Sequence, residues 1–292
     1  SSSSSSSTST SSITSSSTSS STISSTSTGS STTSATTTTT SSTSTLRNTT
    51  TREPYHPNSL YCFALMQPFT YEQDLIADQY KDGVSIFDCD EHLVLSSKVI
   101  DIAPGLTTVA IDSDLHCSKG GEFMTALNTE IFFAVWDKVI SDGRFNLYAW
   151  TLKVDPDCVF LPSRLRLDML HHKEGPTGVY INNCKMGLHG PLEVFSRIAV
   201  HLWAAGRQRC VDHFTKLCSG PCLWGEDMFI DQCLSKVLGV RREDDWSLLV
   251  EDHCAPPLGW KGCLDVTKAA FHPFKDKGDW RQCMQNAGGY GR

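Results

Sequence analysis

Two aspartates stand one residue apart inside an apolar segment, where they could bind a divalent cation. β-Branched and aromatic residues flank Asp155-Pro156-Asp157 on both sides, which predicts a buried strand that ends in a turn. Buried carboxylates are costly unless something pairs with them, and Pro156 stiffens the turn that presents them. Carboxylate oxygens are good ligands for Mg²⁺ and Mn²⁺. The alternative is a solvated turn between two strands, because so short a pattern often arises by chance.

Three further residues could complete or use such a site. His272 lies in an aromatic-flanked segment near the end of the chain, and imidazole is also a ligand for Mn²⁺. Glu226 and Asp227 follow Gly225 at the expected start of a helix, where the helix dipole stabilises carboxylates. A carboxylate held ionised beside a reacting hydroxyl can also act as a general base. A structural histidine and an ordinary helix start are the alternative interpretations.

The cysteines bear on the compartment in which the protein folds. All twelve lie within residues 62–283. An even, high count favours disulfides and an oxidising compartment over a cytosolic chain with buried free thiols. The segment Cys210–Cys222, with His213 inside it, could instead bind structural zinc. Its spacing fits no common zinc framework, so we predict a disulfide-linked loop there.

The chain has two compositions. Of the first 50 residues, 43 are Ser or Thr. Such a segment cannot bury enough surface to offset its ordering entropy, so we predict that residues 1–51 are a disordered stem or low-complexity tail. Residues 52–292 have the length and composition of one large globular domain. A net charge of −7 without a basic cluster excludes a nucleic-acid partner, and no apolar run is long enough to span a bilayer.

The order of apolar segments predicts an α/β fold with a mostly parallel mixed sheet flanked by helices. A strand at Ser59–Met66, a helix between Thr70 and Gly83 and a strand at Val84–Asp88 form a βαβ unit. No glycine-rich dinucleotide motif and no P-loop accompany it. Later patterns predict a helix over residues 122–141, a strand over 177–182, a helix from Pro191 to Gly206, and a helix starting at Glu226.

Three segments, in this order, resemble the inverting β-1,3-glycosyltransferases of the fringe and core-1 galactosyltransferase type, family 31. They are Leu152-Lys-Val-Asp155-Pro-Asp157, Glu226-Asp227-x4-Gln-Cys233-Leu234 and Phe271-His272-Pro-Phe274. The resemblance covers residues 145–275, roughly half of the chain. It implies the GT-A fold, a UDP-sugar as donor, a glycan or glycoprotein as acceptor, and Mn²⁺ or Mg²⁺ bridging the diphosphate of the donor.

The resemblance also implies roles for single residues. Asp155 and Asp157 match the metal- and donor-binding Asp-x-Asp motif, and His272 matches a late metal ligand. Asp227 matches the catalytic base, with Glu226 as the second candidate for that role. Such enzymes work in the secretory pathway, so we expect the Golgi lumen. The sequence begins with Ser rather than Met, and we expect an upstream segment that could carry a type II membrane anchor.

Two departures from the family pattern keep other functions open. Pro156 replaces the middle aspartate of the metal motif, and Asp231 replaces a glycine that follows the catalytic Glu-Asp. A catalytically inactive carbohydrate-binding protein with the same fold is therefore the first alternative. A glycoside hydrolase is the second, with Asp155 or Asp157 paired with Asp227.

Overall fold

The structure is a computed structural model that describes residues 56–254 and 259–290. The Ser/Thr-rich segment 1–51, predicted to be a stem, lies outside these residues. The helices in the described part are α1 Tyr71–Asp82, α2 Thr129–Asp142, α3 Pro162–Asp168, α4 Arg197–Leu217, α5 Glu226–Gln232 and α6 Lys277–Asn286. The strands are β1 Leu60–Leu65, β2 Glu91–Ser96, β3 Asp101–Ala103, β4 Leu106–Thr107, β5 Val109–Ala110, β6 Lys119–Gly120, β7 Thr125–Ala126, β8 Trp150–Val154, β9 Val159–Phe160, β10 Val179–Asn182, β11 Leu192–Ser196, β12 Arg241–Asp244, β13 Leu249–Glu251 and β14 Ala270–His272.

A seven-stranded mixed sheet forms the centre of the fold, in the order β12-β10-β11-β8-β1-β2-β5. Strand β1 pairs in parallel with β2 and β8, β2 pairs in parallel with β5, and β10 pairs in parallel with β12. Among the seven described strands of this sheet, only β11 runs antiparallel to the others, and its neighbours are β8 and β10. The predicted α/β class, with a mostly parallel mixed sheet flanked by helices, is confirmed.

Both faces of this sheet are buried, as parallel strands require. Along β1, Cys62 contributes to the core on one face and Phe63 to the core on the other. Helices α1 and α3 cover the first face, and α2, α4 and α5 cover the second. The predicted apolar stripe of α2 is buried on the second face, where Trp136 packs edge-on against Phe63 and Phe195.

A small second sheet brings the end of the chain beside the central strand. Its order is β13-β14-β9, with β14 parallel to β13 and antiparallel to β9. Strand β9 begins two residues after Asp157, and β14 ends at His272. The backbone N–H of Phe274 donates to the carbonyl of Asp157 over 2.9 Å. This pairing fixes where the late histidine lies relative to the aspartate turn.

The second strand of the βαβ unit was predicted at the wrong place. Residues Ser85–Asp88 form a 3-10 helix, and the parallel partner of β1 is Glu91–Ser96. Ser85 has a φ of 58°, a left-handed conformation that extended backbone does not adopt. Helix α1 begins after Thr70, whose side chain accepts from the N–H of Glu72, and it ends at Gly83 as predicted.

The helix predicted from Pro191 to Gly206 is confirmed only in its second part, and its first part is wrong. Residues Leu192–Ser196 are strand β11, inserted between β8 and β10, and α4 begins only at Arg197. The helix continues through Gly206 to Leu217. Gly206 lies against Leu238, and a Cβ at this position would come within 2.4 Å of a side-chain carbon, so the glycine permits close packing rather than ending the helix. The helix predicted over residues 122–141 starts later, at Thr129, because its first residues belong to the β6–β7 hairpin.

Five disulfides link ten of the twelve cysteines, and Cys117 and Cys158 are free. The disulfides are Cys62–Cys89, Cys184–Cys254, Cys210–Cys233, Cys218–Cys222 and Cys263–Cys283. Disulfides on this scale are typical of proteins that fold in an oxidising compartment. The alternative of a zinc site in the segment Cys210–Cys222 is wrong, because its three cysteines form disulfides. Cys210 also lies in α4 rather than in a loop.

None of the helices in the described ranges has the length and apolarity of a membrane span.

We expect the disulfides to contribute unequally to stability. The Cys184–Cys254 bridge closes a separation of 70 residues and the Cys218–Cys222 bridge one of only 4. In the chain-entropy model these separations correspond to about 4 and about 2 kcal/mol. Urea unfolding of the two double-serine variants should therefore show the larger loss for Cys184→Ser/Cys254→Ser. An equal loss, or a larger one for Cys218→Ser/Cys222→Ser, would contradict this expectation.

Candidate active site

Two aspartates and one histidine converge at the end of the central strand. Asp155 and Asp157 follow β8, and His272 is the last residue of β14. One ligand atom from each of the three lies within 4.8 Å of the others. The Nε2 of His272 is 3.4 Å from Oδ1 of Asp157. The three residues that were predicted from the sequence to be metal ligands therefore lie together.

The turn that carries the aspartates is held from three sides. The N–H of Asp155 donates to the carbonyl of Pro191 over 3.1 Å, which continues the ladder between β8 and β11. The carbonyl of Asp155 accepts from the N–H of Cys158 over 3.0 Å. Gln79, buried in α1, donates from Nε2 to the carbonyl of Pro156 over 2.7 Å. The carboxylates are thus presented by a fixed backbone rather than by a free loop.

The donor set fits a borderline-hard divalent cation such as Mn²⁺. Two carboxylates and one imidazole are ligands that this ion accepts. Nδ1 of His272 is buried without a hydrogen-bond partner, 4.0 Å from Oε2 of Glu251. Glu251 is 3% exposed and binds His189 through its other oxygen. Glu251 thus lies behind the imidazole, beyond hydrogen-bond distance, at the place where a carboxylate could orient a metal-binding histidine.

The ionisation of the trio is set by competition between burial and mutual contact. Burial alone raises the pKa of Asp157, but the hydrogen bond and charge of His272 hold it below its ordinary value. Burial alone lowers the pKa of His272, but the hydrogen bond and charge of Asp157 raise it. The shifts favour a charged carboxylate facing a protonated imidazole, so a cation that bound here would have to displace the proton of His272.

A cavity of about 530 Å³ opens beside the trio. Its wall includes the phenol of Tyr71, which donates to Oδ2 of Asp157 over 3.2 Å. Lys275 lies over the Tyr71 ring, with Nζ 5.9 Å from the centroid. Burial, together with the charges of the two aspartates, raises the pKa of the nearby Glu72 to about 7. The cavity thus combines carboxylates, a phenol and a cation within the size range of ligand pockets.

A buried lysine that the sequence interpretation left without a role links this site to the start of α5. Lys153 is 2% exposed, and its Nζ lies 2.7 Å from Oδ1 of Asp155 and 2.8 Å from Oε1 of Glu226. It also donates to the carbonyl of Gly190 over 2.7 Å and lies 4.7 Å from the Phe132 ring centroid. Burial opposes its charge, yet the neighbouring carboxylates raise the pKa of Lys153 well above its ordinary value.

A second buried acid, Glu193, stands opposite Lys153 in the β8–β11 ladder. It is 1% exposed, and its Oε1 has no hydrogen-bond partner. Burial, reinforced by the charge of Glu226, raises the pKa of Glu193 well above its ordinary value. Burial therefore favours the neutral form of Glu193, and Asp155 and Glu226 are the carboxylates that directly contact Lys153.

The two carboxylates at the start of α5 have different environments. Glu226 is buried against Lys153, and burial raises its pKa to about 7 even though Lys153 opposes that rise. Asp227 is only partly buried, and its Oδ2 accepts from the N–H of Gly190 over 3.1 Å. Of the two, Asp227 has the carboxylate that a substrate can approach. A side chain at Gly190 would lie 3.1 Å from Glu226 and 3.6 Å from Asp227, so a glycine keeps this loop close to both.

Comparisons with known proteins give structural neighbours but no sequence relatives. No protein-family model matches the chain, and no curated protein sequence matches it. The structure is similar to a glycosyltransferase involved in the glycosylation of the major capsid of PBCV-1, with a TM-score of 0.40, 10% identity, and coverage of 78% of this chain and 98% of that one. It is also similar to the glycosyltransferase GlyE of Streptococcus pneumoniae TIGR4, with a TM-score of 0.35, 14% identity, and coverage of 68% of this chain and 46% of that one.

We expect Asp157→Asn to abolish tight binding of Mn²⁺. The substitution removes one charged ligand from the trio while retaining the shape of the side chain, so the affinity should fall by more than about 100-fold. The loss is measured from the electron paramagnetic resonance signal of free Mn²⁺ during titration. The control is Asp112→Asn, which changes an exposed carboxylate outside the cavity. Equal Mn²⁺ affinity in both variants would remove Asp157 from the site.

We expect Lys153→Met to destabilise the protein by about 3–5 kcal/mol, because it leaves buried carboxylates without their cation. Adding Glu226→Gln should restore part of this loss. Urea unfolding at pH 7 measures both. The control is Lys138→Met, which breaks the surface pair with Asp142 and should cost less than about 0.5 kcal/mol. If Lys153→Met costs no more than Lys138→Met, the buried lysine is not needed for stability.

Proposed function

We propose that residues 52–292 are a GT-A-like catalytic domain that transfers a sugar from a UDP-sugar to a hydroxyl of a glycan or glycoprotein, with inversion and with help from Mn²⁺ or Mg²⁺. The observation that carries this proposal is the convergence of Asp155, Asp157 and His272 within 4.8 Å beside a cavity of about 530 Å³. The motif resemblance to family 31 supports the same reaction. The remaining side chains of the cavity also fit a donor of this chemistry.

The donor would bind with its diphosphate at the trio and towards Lys275. A cation held by Asp155, Asp157 and His272 would offset the negative charge that develops on the leaving diphosphate. Lys275 adds a positive charge to the wall of the cavity, and Tyr71 adds a hydroxyl fixed by Asp157. These groups bind and orient the anionic part of the donor before any bond is broken.

Asp227 would act as the general base. Its carboxylate takes the proton of the acceptor hydroxyl while that oxygen attacks the anomeric carbon of the donor from the face opposite the leaving group. The bond between the anomeric carbon and the diphosphate oxygen breaks, and its electron pair leaves with UDP. The products are the inverted glycoside, UDP and a protonated Asp227.

Glu226 was the second candidate for the catalytic base, but we assign it a different role. Its carboxylate is buried and holds Lys153, which also contacts Asp155. Through these contacts the start of α5 is tied to the strand end that carries the metal ligands. Glu226 is therefore assigned to positioning and Asp227 to proton transfer.

The alternatives are less well supported by the geometry. Asp231, the departure that favoured an inactive protein, accepts a hydrogen bond from the Tyr180 hydroxyl over 2.6 Å and lies 3.5 Å from Arg242. The carboxylate of Asp231 thus has its partners within the fold and does not interact with Asp155, Asp157 or His272. A glycoside hydrolase would use two carboxylates and would leave His272 without a function.

The location that fits this reaction is the lumen of the secretory pathway, in particular the Golgi. Five disulfides in the described residues support an oxidising compartment. A Ser/Thr-rich segment ahead of a catalytic domain suits the stem of such an enzyme.

We expect Asp227→Asn to lower kcat for sugar transfer by about 100-fold or more and to leave UDP–Mn²⁺ affinity unchanged, because only proton transfer is lost. The assay is a donor screen with Mn²⁺ that reads UDP release against a set of sugar nucleotides, and calorimetry reports UDP binding. Asp112→Asn serves as the control. Normal turnover by Asp227→Asn would remove Asp227 from the mechanism. Metal-independent cleavage of a glycoside by the parent would favour the hydrolase, and binding without turnover would favour the inactive protein.

A further inference from the structure

A second cavity, of about 330 Å³, adjoins the start of α5. It lies between the tip of the β6–β7 hairpin and the segment that follows the Cys218–Cys222 disulfide. The lining residues are Gly121, Glu122, Phe123, Leu223, Trp224 and Met228. The side chains of Phe123 and Leu223 are each 58% exposed, which leaves apolar surface uncovered at the mouth of the cavity.

We propose that this cavity is the acceptor site and binds a neutral pyranose ring. One face of such a ring presents apolar C–H groups, which match the aromatic side chains of Phe123 and Trp224. The hydroxyls at the ring edge are donors for the carboxylate of Glu122. This inference rests on the proposed function and adds the chemical class of the acceptor to it.

The walls of this cavity are fixed before any ligand binds. The Trp224 ring packs edge-on against Phe214 at 5.1 Å, and its carbonyl accepts from Oγ1 of Thr129 over 3.2 Å. On the other wall, a Cβ at Gly121 would lie 2.2 Å from the carbonyl oxygen of Leu223. Only a glycine allows the hairpin to approach the opposite segment so closely. The cavity is therefore shaped by backbone contacts and not by mobile side chains alone.

The lining of this cavity includes the residue next in sequence to the proposed base. Met228, which lines it, follows Asp227 in α5, and the Met228 N–H donates to Oδ1 of Asp227 over 2.7 Å. The proposal requires that a hydroxyl of a ring seated on Phe123 and Trp224 reach the carboxylate of Asp227, which has to accept its proton. A binding surface at this place suits the substrate that is deprotonated rather than the one that carries the diphosphate.

The lining also selects among possible acceptors. Its residues include one acid, and among the described residues that form it none is a lysine or an arginine. An acceptor that carries a phosphate or a carboxylate would meet repulsion from Glu122 without compensation. The volume is at the lower end of the range of about 300–1,000 Å³ for ligand pockets, which suits one sugar ring better than a lipid chain.

The test uses the methyl glycosides of glucose, galactose, N-acetylglucosamine and N-acetylgalactosamine as probes. Saturation-transfer NMR on the whole chain measures their binding, and transfer assays with UDP-sugars give the acceptor KM. We expect at least one glycoside to show saturation on its ring C–H protons. Phe123→Ala should weaken that binding and raise the acceptor KM by about three- to tenfold, while Phe123→Tyr keeps both near the parent values.

Two controls make the result specific. Trp246→Ala removes a half-exposed aromatic that lines neither cavity and should leave acceptor binding unchanged. UDP–Mn²⁺ affinity should be the same in Phe123→Ala and the parent. Absence of saturation for every probe, or parental binding by Phe123→Ala, would overturn the acceptor site. A parent that binds a glycoside but no UDP would instead overturn the transferase and leave a site for sugar alone.

Discussion

The ammonium group of Lys153 is the interaction on which the arrangement of the site depends. It is removed from water, and a buried cation is tolerated only when carboxylates and carbonyls surround it. Asp155 comes from the end of the central strand, Glu226 from the start of α5, and the Gly190 carbonyl from the loop before β11. One charge therefore determines the relative positions of three separate segments, each of which carries or adjoins a functional group.

The cost of burying the charge of Lys153 explains why the neighbouring acids have different environments. Glu226 and Asp227 are adjacent in sequence, but only Glu226 points to the lysine. Burial favours the neutral form of Glu193, because the charge of Lys153 offsets that burial only in part. The partly exposed Asp227 does not contact Lys153 and instead accepts from the N–H groups of Gly190 and Met228. The buried ion pair thus uses Glu226 and leaves the carboxylate of Asp227 accessible to a ligand.

The sequence identified the groups whose patterns are local. The helix start at Glu226, the aspartate turn and the disulfide-rich composition are all visible over a few residues. The role of Lys153 was missed, although a lysine inside an apolar run buried on both faces of a sheet has to find partners. Strand β11 was predicted to be helical because its insertion between β8 and β10 depends on tertiary contacts that a local sequence pattern does not show. The cavity beside Trp224 could not be inferred either, since it forms between segments about 100 residues apart.

The order of strands in the small sheet has a consequence for how the protein matures. Strand β14 lies between β9 and β13, yet it is the last of the three to be synthesised. While translation proceeds, the emerging polypeptide holds both aspartates long before it holds the imidazole that faces them. A product that stops before β14 would keep most of the large sheet but would lack the imidazole of the trio. Asp155, Asp157 and His272 can therefore come together only after β14 has been synthesised.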